Sequence, residues 1–151
     1  MDGIYSLIDK SCVLLDKPMK SIDEIIKTLT KQLSENLPDF ATATLMGKVI
    51  SEGFHTTCMG NECAITHARC PSMEKSLIAV IRLKPAINLG SQDKKNVKLV
   101  FLLVGPQKST SYQLKILIRL ASILNQDSFR EGLFKAPDDE KFLNLIKQKE
   151  K

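Results

Sequence analysis

The chain has 151 residues, of which 43% are hydrophobic and 26% charged, and its 22 Lys and Arg outnumber its 17 Asp and Glu to give a net charge of +5. This composition is typical of a globular domain and excludes the disordered, collagenous and membrane-embedded classes. A chain of this length can bury a core without disulfides or metals. We therefore expect residues 1–151 to form a single domain.

The beginning of the chain and its apolar runs bear on its location. The first ten residues, MDGIYSLIDK, lack the basic and apolar regions of a secretory signal. The longest apolar run, residues 97–104, is far shorter than the roughly 20 residues of a membrane-spanning helix. These features predict a cytoplasmic protein without membrane insertion, whose four cysteines are reduced thiols or metal ligands.

The positive charge does not predict nucleic-acid binding. Its densest basic groups, at residues 94–98 and 147–151, are short, and acidic residues are interspersed through most of the chain. There is no Trp and there are only two Tyr to stack on bases. Nucleic acid is therefore not an expected partner.

Two amphipathic helices are predicted in the first third of the chain. Residues 21–24, SIDE, have the form of a capping box and precede apolar residues at helical spacing, which predicts a helix over about 22–36. Pro38 ends this helix, and Asp39 can cap a second one that ends near Gly53. The apolar side of this second helix is formed by Leu45, Met46, Val49 and Ile50.

Strands and further helices are predicted in the second half. Residues 77–83 (LIAVIRL) and 97–104 (VKLVFLLV) have the length and composition of strands, with a surface loop containing Pro85 and Gly90 between them. A helix capped within residues 109–111 follows, and two short helices over about 128–134 and 139–149 end the chain. Together these elements predict a single α/β sandwich. The residues of the first of these helices that we expect to pack on the sheet are Leu114, Leu117, Ile118, Ala121 and Leu124.

Residues 54–73 differ from the rest of the chain, because small, hydroxyl and sulfur side chains dominate and both histidines occur there. One hypothesis is a zinc site, since Cys and His are the usual ligands, although five candidates crowd into one short segment. If residues 63–66 form a strand, Cys63 and Ile65 point to one face and Ala64 and Thr66 to the other, and Cys63 is then a core residue. The five candidate ligands are His55, Cys58, Cys63, His67 and Cys70.

The second hypothesis for this segment is nucleophilic catalysis by His67. A neutral imidazole has a lone pair on one ring nitrogen, and it can accept a phosphoryl group if nearby donors bind the phosphoryl oxygens. Thr56 and Thr57 supply hydroxyls, Gly60 allows backbone N–H groups to approach an anion, and Arg69 supplies a permanent cation. Composition alone favours the plainer alternative, a histidine that is merely hydrogen-bonded in a loop.

Residues 60–69, GNECAITHAR, resemble the phosphohistidine motif of enzyme IIA from the phosphoenolpyruvate-dependent sugar phosphotransferase system, in its fructose, mannitol and nitrogen-regulatory class. Residues 79–83, 99–106 and 111–124 resemble the strands and helix that follow in that family. The resemblance implies a small mixed β-sheet with helices on both faces. It also implies a phosphocarrier rather than a turnover enzyme, without a cofactor or metal, and most similar to the stand-alone nitrogen-regulatory type.

The resemblance also implies partners and a site. The histidine phosphocarrier protein of the system would donate a phosphoryl group to His67, and a IIB component or a regulatory target would receive the group or respond to its charge. The implied contacts of the phosphoryl group are Thr56, Thr57, Arg69 and Gln113.

Several positions depart from the family pattern. Thr66 replaces the proline before the active histidine, which alters the turn that presents the ring, and Glu62 replaces a frequent glycine and adds an acid near the phosphate. Ser51 and Gln113 fall where the family has a pocket arginine and a second histidine, and His55 has no catalytic counterpart. A neutral Gln stabilises an anion less than a charged donor does. The alternatives are therefore a non-catalytic interaction module with a degenerate pocket, and a zinc-binding module.

Overall fold

The computed structural model describes residues 3–35, 57–70, 73–108 and 110–151. Within these ranges five strands form one sheet, and a short 3-10 helix at Tyr5–Leu7 precedes the first of them. The strands are β1 (Ile8–Lys17), β2 (Thr57–Gly60), β3 (Cys63–Cys70), β4 (Leu77–Ile87) and β5 (Val97–Pro106). The helices are α1 (Ile22–Glu35), α2 (Thr110–Leu124), α3 (Asp127–Lys135) and α4 (Asp139–Lys149).

The sheet is mixed and has the strand order β1-β4-β5-β3-β2. β5 pairs in parallel with β3 and antiparallel with β4, while the outer pairs are parallel for β1–β4 and antiparallel for β2–β3. Helix α1 packs on one face of the sheet, and α2, α3 and α4 pack on the other. The predicted α/β sandwich with a small mixed sheet and helices on both faces is therefore confirmed.

Helix α1 begins where the capping box predicts. The backbone N–H of Glu24 donates to Ser21 Oγ at 3.1 Å, and Glu24 Oε2 accepts from the backbone N–H of Lys20 at 2.8 Å. These bonds satisfy two backbone donors at the N-terminus of the helix. The helix predicted from Asp39 to Gly53 lies outside the described residues. Among the described helices, none is both long and apolar enough to span a lipid bilayer.

Strand β4 is longer than the sequence predicts. We expected Pro85 to lie in a loop, but the strand continues to Ile87. The register with β5 shifts between the pairs Arg82↔Leu99 and Ile87↔Val97, so β4 bulges there. A bulge leaves residues without a ladder partner, and proline is tolerated at such a position because it has no N–H to donate.

The prediction of the buried side of α2 is wrong for Leu114 and Ile118, whereas Leu117 and Leu124 do pack against the core. Leu114 and Ile118 are 56% and 61% exposed, Leu117 and Ala121 are half-buried, and of the predicted set only Leu124 is fully buried. Helix α2 is apolar on two sides, and the spacing of its apolar residues could not tell which side faces the sheet. The residues that do face the sheet are Gln113, Ile116, Leu120 and Ile123.

A buried arginine holds the helical layer against the sheet. Arg82 on β4 is 4% exposed, and its Nη1 donates to the carbonyl oxygens of Leu133 and Ala136 at 2.9 and 2.8 Å. Its Nε and Nη2 donate to the two carboxylate oxygens of Asp16 at 2.8 and 3.0 Å, and this bonding lowers the pKa of Asp16. The carbonyls belong to the C-terminal end of α3, which carries partial negative charge and favours a cation. Arg82 therefore links β1, β4 and α3.

We expect Arg82→Met to lower the free energy of unfolding by about 3 kcal/mol, because two buried carbonyl oxygens would lose their charged donor. Urea denaturation measures the change. Lys84→Met is the matched control, since Lys84 is an exposed residue of the same strand. A loss for Arg82→Met of less than about 0.5 kcal/mol, as at an ordinary surface position, would contradict the role of this bonding.

Candidate functional site

His67 lies on strand β3 and not in a turn. Along β3, Cys63 and Ile65 pack in the core on the α2 side of the sheet, whereas Ala64 and Ala68 pack on the α1 side, as the alternation of a strand requires. His67 is therefore on the α2 side, and its ring is exposed. The expected orientation of Cys63 and Ile65 is confirmed.

Thr66 lies within strand β3, whereas the sequence suggested a turn. We expected it to alter a turn that presents the histidine ring, but it is a strand residue that pairs with Leu102 and is 1% exposed. Its side chain is on the sheet face opposite His67. The exposure of the ring is therefore set by strand alternation and by the helix above it.

A shallow depression of about 230 Å³ surrounds the imidazole. Between His67 and the other described residues there is no hydrogen bond or ion pair, so the ring nitrogens are not engaged by them. The other described residues that line the depression are apolar: Met59, Ile65, Leu117, Ile118 and Ala121.

Helix α2 runs back over β3 and β5 and brings Gln113 close to the end of the depression. Leu117 and His67 both line this depression, and Gln113 is one helical turn before Leu117. The side chain of Gln113 covers Gly105: a Cβ added to Gly105 would lie 2.6 Å from Gln113 Nε2. Gly105 pairs with Arg69, which is two residues beyond His67 on β3. The backbone of Arg69 and the amide of Gln113 therefore both lie next to Gly105, two residues beyond His67 in the register of β3 and β5.

Gln113 is almost completely buried and incompletely hydrogen-bonded. The residue is 3% exposed. Its Nε2 is the one buried side-chain nitrogen or oxygen without a hydrogen-bond partner in the part of the chain that the structure describes. Buried polar groups are nearly always paired, so an unpaired buried donor at this place needs an explanation.

Two residues that the sequence placed beside the phosphate are far from His67. Gly60 pairs with Cys63, and Cys63 is four residues, or about 13 Å, from His67 along β3. Glu62 lies in the same hairpin turn, one residue farther away. The backbone N–H of Asn61 in this turn donates to Asp93 Oδ2 at 2.8 Å. The expectations that Gly60 exposes amides to an anion at His67 and that Glu62 adds an acid there are therefore wrong.

Of the two threonines proposed as phosphoryl contacts, only Thr57 is among the described residues. The backbone of Thr57 pairs with Ile65, two residues before His67, at the start of β2. Thr56, together with Ser51 and His55, lies outside the described residues.

The thiols proposed as zinc ligands lie on opposite faces of the sheet. Cys58 and Cys70 pack on the α1 side, whereas Cys63 packs on the α2 side. Burial of Cys63 raises the pKa of its thiol to about 12, which opposes the thiolate form that binds metals. In the described ranges no group of three or more His, Cys, Asp or Glu side chains is placed to hold a metal ion. The described candidates therefore cannot converge on one zinc ion.

Comparison with known proteins identifies the family. The family model for "Phosphoenolpyruvate-dependent sugar phosphotransferase system, EIIA 2" matches residues 6–149. A nitrogen regulatory protein of Pseudomonas aeruginosa is 25% identical over 134 residues, which are 88% of this chain and 87% of that protein.

Solved structures agree with this match. The nitrogen regulatory protein IIA-Ntr of Neisseria meningitidis superimposes with a TM-score of 0.86 at 25% identity, covering 95% of this chain and 98% of that one. Enzyme IIA for mannitol of Escherichia coli, in its complex with phosphorylated enzyme IIB, has the same fold, with a TM-score of 0.74 at 14% identity and 94% and 99% coverage. The chain thus belongs to the EIIA 2 family of the phosphoenolpyruvate-dependent sugar phosphotransferase system.

Proposed function

We propose that this chain is a cytoplasmic, single-domain phosphocarrier that accepts a phosphoryl group on His67 from the histidine phosphocarrier protein. It then passes the group to a IIB component or signals its presence to a regulatory target. The observation that carries this proposal is the exposed imidazole of His67 in an open depression. Arg69 lies two residues farther along β3, where it pairs with Gly105, the residue that Gln113 covers.

The reaction needs one attacking lone pair and no cofactor. A ring nitrogen of His67 attacks the phosphorus of the donor's phosphohistidine, and a nitrogen–phosphorus bond forms as the bond to the donor's ring breaks. The donor's ring keeps the electron pair of the broken bond. Each ring retains the proton on its other nitrogen, so atoms and charge balance.

The surroundings of His67 favour the anion that arrives. A phosphoryl group brings almost two negative charges. Arg69 supplies a permanent cation, and the unpartnered Nε2 of Gln113 supplies a neutral donor. The N-terminal end of α2, which carries partial positive charge, has no acidic residue in its first turn. Thr56 and Thr57 are the proposed hydroxyl donors to the phosphoryl group.

A second candidate function is a non-catalytic interaction module with a degenerate pocket. The exposed apolar side chains of Leu114 and Ile118 favour it, because a partner can bind such a surface without any chemistry. Ile118 also borders the depression that contains His67. The two candidate functions are distinguished by whether His67 can be phosphorylated.

Incubation with phosphoenolpyruvate, enzyme I and the histidine phosphocarrier protein should place an acid-labile phosphoryl group on the wild type, because the ring is exposed to a docked donor. His67→Ala should lose this label completely. Radiolabel retained at neutral pH and released by acid measures the product.

Circular dichroism should show that His67→Ala is folded, since the replaced ring is exposed. An unlabelled wild type would reject the phosphocarrier and leave the interaction module. Equal labelling of the wild type and His67→Ala would reject His67 as the acceptor.

We expect Gln113→His to make phosphoryl transfer depend on pH in a way that the wild type does not. An imidazolium at position 113 would donate a charge-assisted bond to the phosphoryl group below about pH 6.5, and this bond would be lost as the pH rises. The transfer equilibrium of the variant, divided by that of the wild type, should fall about 10-fold between pH 6 and pH 8.

Gln107→His is the matched control for this substitution, because Gln107 is exposed and lies before α2. Its ratio to the wild type should stay constant over the same pH range. A constant ratio for Gln113→His as well would show that residue 113 does not contact the phosphoryl group.

A further inference from the structure

Gly105 on β5 is packed more closely than any side chain would allow. A Cβ added to this residue would lie 2.4 Å from Ser76 Oγ and 2.6 Å from Gln113 Nε2. Both distances are far shorter than ordinary van der Waals contact. Gly105 is not among the described glycines with positive φ, so its neighbours and not its backbone conformation exclude a side chain.

The two neighbours of Gly105 are polar and come from different elements. Ser76 directly precedes β4 and is 6% exposed, while Gln113 lies in the second turn of α2 and is 3% exposed. Because Gly105 has no side chain, the amide nitrogen of Gln113 can approach the backbone of β5 closely. This placement leaves its Nε2 buried and without a hydrogen-bond acceptor.

The amide is within reach of a phosphoryl group on His67. Gly105 is paired with Arg69, and His67 is paired with Leu103, so Gly105 is diagonal to His67 across two adjacent strands. One strand spacing and two residues of rise place their Cα atoms about 8 Å apart. The imidazole, the phosphoryl group and the amide together span this separation.

We propose that Gly105 is a positioning residue for the phosphoryl site. By lacking a side chain, it holds the amide of Gln113 against β5, with Nε2 directed to an oxygen of the phosphoryl group on His67, while Ser76 closes the β4 side. This inference rests on the proposed phosphorylation of His67. The acceptor that Nε2 lacks in the free protein is then supplied by the phosphoryl group.

Gly105→Ala is the direct test. The new methyl group would displace the flexible end of Gln113, whereas the backbone conformation suits alanine. We expect the equilibrium constant for transfer from the phosphorylated histidine phosphocarrier protein to fall about 10-fold, as when a bond to a charged group is lost. Gln113→Met, which keeps the side-chain length but removes the donor, should cause a similar fall.

The double variant distinguishes positioning from a general structural effect. If Gly105 acts through Gln113, Gly105→Ala in the Gln113→Met background should change the equilibrium constant by less than about 2-fold. Gly132→Ala is the matched glycine control, since its added Cβ meets only Leu145, at 3.3 Å or more, away from the site. It should leave the equilibrium constant unchanged.

Two outcomes overturn the inference while the phosphocarrier function stands. In the first, Gly105→Ala has the same equilibrium constant for phosphoryl transfer as the wild type. In the second, Gly105→Ala lowers this constant as much in the Gln113→Met background as in the wild type. A wild type that takes no phosphoryl group overturns both proposals together. Circular dichroism and thermal melting establish that each variant is folded.

If Gly105→Ala does not fold, Ser76→Thr is the alternative test. It adds one methyl group next to Gly105 from the β4 side, in the space that Gln113 shares with Ser76. It should lower the equilibrium constant in the wild type but not in the Gln113→Met background. In the wild type, the side-chain amide resonance of Gln113 should shift when His67 is phosphorylated. An amide resonance that does not move would overturn the inference.

Discussion

The burial of β5 on both faces is the constraint on which the rest of the structure depends. Side chains 99–104 are 0% exposed, and each large apolar side chain buried in this way contributes roughly 1.5–3 kcal/mol. Such a strand must be central, with strands on both edges and helices on both faces. The parallel pairing with β3 then fixes His67 beside Leu103 and Arg69 beside Gly105. The geometry of the site therefore follows from the core.

Helix α2 has apolar side chains on two sides, one buried against the sheet and the other exposed. Ile116 and Leu120 face the sheet, while Leu114 and Ile118 face outward, and Ile118 borders the depression around His67. Covering β5 requires only one apolar side of this helix. The second side is therefore available to a partner, and any protein that reaches the ring of His67 must approach it. Under the proposed function, α2 would serve both partner recognition and the phosphoryl site.

The proposed phosphoryl site combines the cation of Arg69, the buried amide of Gln113 and the N-terminus of α2. Arg69 carries a permanent charge, whereas Gln113 is neutral at every physiological pH, so the proposed contact of residue 113 with the phosphoryl group would not titrate. A neutral donor is weaker than a charged one, yet burial strengthens it and leaves it without a competing partner. Under the proposed function, this balance would allow a phosphoryl group to be held moderately and transferred onward.

Much of the fold could be predicted from local patterns, because capping boxes, apolar runs and strand alternation act over a few residues. The capping box at Ser21 starts α1, and the apolar run at 97–104 forms β5. The motif singled out His67 and Arg69. The sequence could not determine which side of α2 is buried, how far β4 extends past Pro85, or that Gly60 lies far from the ring. These three features depend on strand register and on packing between elements that are distant in the chain. The position of the unpartnered Gln113 amide over Gly105 depends on the same factors, because only the assembled sheet brings β5 and α2 together.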